Sequence, residues 1–325
     1  MRITNRRFAG GVETRERGWS AVRRAGLCVA AVAAAIAWIW VGECAEDYRK
    51  HLEKGIALSE ECRHREEEAL AEVEKAYRMN PNDFETRYWY GRTLYDNRRF
   101  GEAAGVLESA LSQRPDDVKA NAYLAYSYGR IGENLLKRTV YMFKSTRQIK
   151  KVLDIDPNFA DAYFSLAIGC TYLGWYEKPT GVFRQLVKLV LEDEELVDTF
   201  SAEALYFKAI SLDPDNAWYY VQLGWLYLKQ NKPDKARKEF EKAMALAEKD
   251  VKCGMKDDTV PRGIAVYYED AQMFEEGLRY AKTALRWNPE DLCLEPRLSI
   301  GRVIDRLEEE VRTGKAIMKD VADEM

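Results

Sequence analysis

Histidine is almost missing from this chain: His51 and His64 are the only two in 325 residues. Cysteine is sparse and unpaired in pattern. The six cysteines include no CxxC, and no CxxCH, so neither a zinc ribbon nor a haem attachment site is indicated. Cys62 and His64 lie close together, but two donors do not close a zinc site, which takes four, so the pair reads as a solvated helix end. No GxxxxGK[ST] and no GxGxxG following a strand occur, so no phosphate cradle is expected. HExxH and GxSxG are absent too, and no catalytic, metal or cofactor site is expected. The net charge of −4 is small, which argues against nucleic acid as the main partner. Proline is also scarce. Of the nine present, Pro81, Pro115, Pro157, Pro214 and Pro289 mark out the chain at intervals.

Those prolines end a recurring helical pattern. The clearest copy runs from Phe84 to Pro115, FETRYWYGRTLYDNRRFGEAAGVLESALSQRP. Gly91 sits inside one helical stretch and Ala103 early in the next. Leu107, Ala110 and Leu111 follow at i+3/i+4 spacing, and Pro115 stops the helix because it has no N–H to donate. Small residues at 91 and 103 let two helices cross closely. The same order returns with Ala217, Tyr220, Leu223, Gly224, Tyr227, Ala236, Phe240 and Ala243. It returns again from Ala265 to Pro289. A degenerate first copy spans residues 50–81, with Ala57 taken as its small residue. The copy from Val118 to Pro157 carries about eight extra residues, placed near Gly129–Thr139. The copy from Ala160 to Pro214 carries about twenty-three, including a short helix expected from Val182.

This recurrence resembles the tetratricopeptide repeat (TPR), a helix–turn–helix unit of about 34 residues. The resemblance covers 50–289. The insertions and the Leu-Gly-Trp…Glu-Lys segment at 173–178 also resemble TPR proteins of the regulator-of-microtubule-dynamics type. The resemblance implies an all-α solenoid of about six TPR helix pairs, with insertions in the third and fourth. A C-terminal capping helix is read directly, since Ile300, Ile304, Leu307 and Val311 recur along one face after Pro296. Three regions result: a leader at 1–45, the solenoid at 46–291 and the cap at 292–325.

The leader differs in character. Residues 1–24 hold seven arginines against two glutamates, and residues 25–42 carry no charge. That is the layout of a signal peptide or a membrane anchor. The alanine content fits a cleaved signal, while Trp38 and Trp40 fit an interfacial anchor. Either way the repeats are expected outside the cytoplasm, in a periplasm-like compartment or tethered to a membrane.

In TPR proteins the first helix of each pair lines a concave groove. By register, the resemblance implies a partner-binding surface of Tyr88, Trp89, Arg92, Tyr95, Tyr123, Tyr126, Phe164 and Trp225. Aromatic and arginine side chains are frequent binding hot spots. The function expected is therefore a non-enzymatic scaffold that takes a peptide or helix of a protein partner. Capture of a terminal carboxylate by lysine and asparagine is not expected, since Tyr88 and Arg92 occupy that face. A second expectation is a basic segment of Arg130, Lys137, Arg138, Lys144, Arg147, Lys150 and Lys151, suited to anionic lipid or an acidic partner. The alternative function is a membrane adaptor that binds lipid or a hydrophobic ligand near Val182–Leu191.

Overall fold

The computed structural model describes residues 47–60, 64–131, 135–172, 201–252, 255–290 and 299–324. The leader, the Val182 helix and the ligand site expected near Val182–Leu191 lie outside these residues. Thirteen helices occur among those described. They are α1 (residues 47–60), α2 (Glu66–Met79), α3 (Phe84–Asp96), α4 (Phe100–Leu111), α5 (Val118–Arg130), α6 (Leu135–Ile155) and α7 (Ala160–Tyr172). α8 (Ala202–Leu212), α9 (Ala217–Lys229), α10 (Pro233–Lys249), α11 (Thr259–Asp270), α12 (Phe274–Trp287) and α13 (Ile300–Glu324) follow. Strands β1 (Val251–Lys252) and β2 (Met255–Lys256) pair antiparallel between α10 and α11.

From α2 onward each helix packs on its successor. In addition α3 touches α5, α5 touches α7, α7 touches α9, and α9 touches α11. That second set of contacts stacks the first helices of successive pairs into one continuous inner layer, which makes the molecule an all-α solenoid.

Local chemistry sets each boundary. Asp83 and Asp117, two residues after Pro81 and Pro115, accept the backbone N–H of Thr86 (2.9 Å) and Ala120 (2.8 Å). Asn216 stands likewise after Pro214 and accepts from Trp218. Proline thus ends one unit and an Asx cap starts the next. Replacing Asp83 or Asp117 with alanine is expected to cost about 1 kcal/mol each, read as a lowered urea midpoint.

The turn inside each pair also repeats. Arg98, Asn231 and Gln272 all have φ near +60°, and each follows the small inner residue by the same interval. The next N–H reaches back to Leu94, Tyr227 and Tyr268 carbonyls respectively, closing the helix end.

The first unit departs from the expected register. Gly55, not Ala57, is its small residue: a Cβ there would overlap Val73 Cγ2, just as one at Gly91 would lie 2.6 Å from Leu107 Cγ. The turn is longer as a result, and His64 takes its left-handed position, with φ 59°.

The third unit's extra residues lengthen α6 rather than forming only a loop. Ser145 sits at the crossing, donating to the Ala125 carbonyl at 2.8 Å, and Ile149 and Val152 fill the core. α13 packs on α12 through Ile300, Val303 and Leu307, all nearly fully buried.

Candidate functional site: the inner aromatic face

Six of the eight expected groove residues converge. Tyr88, Trp89, Arg92 and Tyr95 come from α3; Tyr123 and Tyr126 come from α5. Three ring pairs tie α3 to α5, and a fourth links the two α5 rings. Tyr88 lies 6.1 Å from Tyr123, Tyr95 lies 5.7 Å from Tyr123 and 6.2 Å from Tyr126, and Tyr123 lies 5.6 Å from Tyr126. The Arg92 guanidinium lies 4.4 Å from the Trp89 ring centre and 5.4 Å from that of Tyr123. Its Nη1 donates to Glu60 Oε1 of α1 at 3.0 Å. The two ring faces and the Glu60 carboxylate together fix the cation in place.

Phe164 and Trp225 belong to a second cluster. Phe164 lies 4.7 Å from Tyr219, whose hydroxyl donates to Asp161 Oδ1 at 2.5 Å. Trp225 is held between Tyr172 (4.8 Å) and Tyr267 (5.1 Å, stacked), and Gln222 Nε2 donates to the Tyr267 hydroxyl at 2.7 Å. Sequence register missed Tyr172, Gln222 and Tyr267, as well as the acidic pair Asp96 and Asp161. Each stands on one of the same inner helices, so the same register reading, carried to every position, reaches them.

Packing is tighter than an open groove. Tyr88, Trp89 and Trp225 are buried, while Arg92, Tyr95, Tyr123, Tyr126 and Phe164 are partly exposed. Burial pushes the Tyr88 phenol up to about 12, with Arg92 pulling the other way, and raises Tyr123 and Tyr126 further. Burial also lifts the Asp96 carboxyl to about 6, despite Arg92 beside it. The Tyr126 hydroxyl, Gln222 Oε1 and Trp225 Nε1 are buried and have no hydrogen-bond partner among the described residues.

Several side chains of the basic segment make contacts within the fold. Arg130 lies 5.3 Å from the Phe100 ring, and Lys144 lies 5.3 Å and 5.1 Å from Tyr128 and Tyr141. Lys150 pairs with Asp154 at 2.9 Å, and Lys151 reaches the Pro115 carbonyl and Asp116. Arg130, Lys137, Lys144 and Arg147 are exposed; the Arg138 side chain lies outside the described set. His64 is not a solvated helix end, since its ring is paired with Asp258 and only 8% exposed. Cys62 lies outside the described residues. Cys170 is buried and unpaired, as its place on an inner helix requires. Among the described residues no group of three or more His, Cys, Asp and Glu could hold a metal ion, and no helix is long and apolar enough to cross a membrane.

Stacked helix pairs with a lined inner face define the class: an α-solenoid of repeats. Family models described as tetratricopeptide repeat match residues 63–125 and 205–238, and those two stretches are TPR repeats. It is 28% identical over 198 residues to a BBSome complex member BBS4 homolog of Drosophila melanogaster, a match over 60% of this chain and 36% of that one. It is 27% identical over 177 residues to the protein O-mannosyl-transferase TMTC3 of Mus musculus, over 53% of this chain and 17% of that one. The chain thus spans well under half the length of either relative. Among solved structures, a thermophilic TPR protein of Thermus thermophilus superposes with a TM-score of 0.52 at 21% identity, covering 70% of this chain and 99% of that one. That likeness is one of fold. TPR domains are, as a rule, non-catalytic and bind protein partners.

Proposed function

We propose that this protein is an interaction scaffold that receives an extended segment of a protein partner along its inner aromatic face. One observation carries the reading: three buried polar atoms that have no partner among the described residues stand among aromatic rings on α5 and α9. A buried hydroxyl, indole N–H or amide oxygen left unpaired is costly. A peptide backbone offers a carbonyl for Tyr126 and Trp225 and an N–H for Gln222, while its side chains cover the rings. The relative named as a complex member supports a scaffold role. The transferase likeness covers a small part of that enzyme, so no chemical step is proposed. The apolar run at 25–42 and its basic flank support presentation on the non-cytoplasmic side of a membrane.

The test is cross-linked capture from the native host. Wild type is compared with an Arg92→Ala, Tyr126→Phe double variant and with a Lys238→Ala, Glu241→Ala control on the exposed side of α10. Losing a hot-spot arginine and its neighbouring hydroxyl is expected to lower recovery of a specific partner about thirty-fold. The outer control keeps it. A partner recovered equally by all three moves the site off the inner face.

A further inference from the structure

The turn of the first unit reaches the sixth unit. His64, between α1 and α2, places Nε2 at 2.5 Å from Asp258 Oδ1 and 3.4 Å from Asn288 Nδ2. Asp258 immediately precedes α11 and Asn288 immediately follows α12, and Asn288 Nδ2 donates to Asp258 Oδ2 at 3.3 Å, so the imidazole meets the sixth pair where its two ends are joined. Arg262, one helical turn into α11, holds the other oxygen of Asp258. The His64 and Asp258 side chains are 8% and 1% exposed. Burial pushes the Asp258 carboxyl up, and the His64 and Arg262 contacts outweigh it, so it lies below the usual carboxylate range. A buried hydrogen bond across 194 residues of chain joins the two ends of the array.

The same turn also meets the inner face. Glu60, at the end of α1, pairs with Arg92, and Ser59 hydrogen-bonds the Asp96 carboxyl. Inside the coil the far units approach each other as well: the Arg130 guanidinium acts electrostatically on Tyr95 of the second unit and on Tyr267 of the sixth. Residues 59, 60 and 64 therefore lie between the sixth unit on one side and the Arg92 cluster on the other.

We infer that the His64–Asp258 contact is a clasp: it ties the first unit to the sixth, keeps the inner aromatic face closed, and must open before a partner segment reaches Arg92 and the rings around it. This rests on the inner face being the binding surface. The contact is buried on both sides, and removing either partner leaves the other buried without its hydrogen bond, which is costly. Repeat arrays flex because each unit contacts only its neighbours, and a single end-to-end bond is the constraint such an array otherwise lacks.

The test reads tyrosine accessibility in the full chain, with tetranitromethane as the probe and mass spectrometry to assign the nitrated residues. His64→Asn is the principal variant. Asn231 holds the same left-handed turn position in the fifth unit, so the backbone accepts asparagine there while the shorter side chain no longer reaches Asp258. Asp258→Asn is the second variant, removing the charge from the other side. Tyr206, fully buried between units, reports unfolding. Nitration of Tyr95 and Tyr126 is expected to accelerate at least tenfold in both variants while Tyr206 stays protected. Unchanged Tyr95 and Tyr126 overturn the clasp. So does a parallel rise at Tyr206, which makes the contact a general support of the fold. Nitration needs no partner and the capture experiment needs no opened clasp, so an unchanged nitration rate beside an Arg92-dependent partner sinks the clasp alone.

Discussion

Replacing Phe240 with alanine should lower the free energy of unfolding by about 3–5 kcal/mol. The ring is fully buried at the crossing of α9 and α10. It lies so close to Gly224 that a Cβ there would overlap Cε1. On its other side the Tyr268 ring of α11 sits 5.1 Å away, edge to face. One side chain thus closes the fifth pair and joins it to the sixth. Truncation leaves a cavity that a glycine and a rigid ring cannot refill. The loss appears in the C-terminal part of the array first, because each unit is stabilised by its neighbours alone. Urea unfolding followed by tryptophan fluorescence of Trp218 and Trp225 should therefore shift further than the helical circular dichroism signal. Gly224→Ala alone should cost about 1–3 kcal/mol by overpacking, and Gly224→Ala with Phe240→Leu less than the sum of the two, since the smaller side chain vacates the space the methyl needs. Strict additivity would mean that ring and glycine do not share that space.

The unit boundaries are legible in the sequence because they are local events. A proline and an Asx cap two residues later act within one turn of helix, and Pro81–Asp83, Pro115–Asp117 and Pro214–Asn216 announce them. The crossing residues Gly91 and Gly224 are legible for the same reason. The register of the first unit is not, because its longer turn shifts the small residue from 57 to 55 without leaving a periodic signal. The lengthened α6 reads as a loop near Gly129–Thr139, since continued helix and inserted loop both displace the next crossing residue, Ser145, by the same count.

The inner face is legible as a face and not as a volume. Register assigns Trp225 to it, yet Tyr172 and Tyr267 cover the indole from both sides, and their approach depends on how tightly the units coil. The pairing of His64 with Asp258 depends on the same coiling. A lone histidine in a polar turn is ordinarily solvated, and nothing in its neighbouring sequence foretells a partner 194 positions away.

Asp96→Asn should stabilise the protein by about 2–3 kcal/mol above pH 7 and by little near pH 4. Asp96 lies on α3 beside Tyr95, on the inner face. Burial raises its carboxyl to about 6, and Glu66 adds to the rise, while Arg92 and a hydrogen bond with Ser59 only partly oppose it. An unfolded aspartate titrates near 3.9. Between about pH 4 and pH 6 the folded chain therefore binds the proton that the unfolded chain has released, and this residue's contribution to stability increases as pH falls through that window. Above it the penalty is complete and constant. Urea midpoints of wild type and variant, measured at about pH 4.5 and 7.5, isolate the effect: the difference between the two proteins should be several-fold larger at the higher pH. Equal differences at both values would place the Asp96 titration at its ordinary position. A protein that keeps an unfavourably buried carboxylate one turn from Arg92 retains a charge that stability alone does not favour. Its place beside the cation that a partner would meet gives that charge a use. It offsets part of the charge of the guanidinium on the closed inner face.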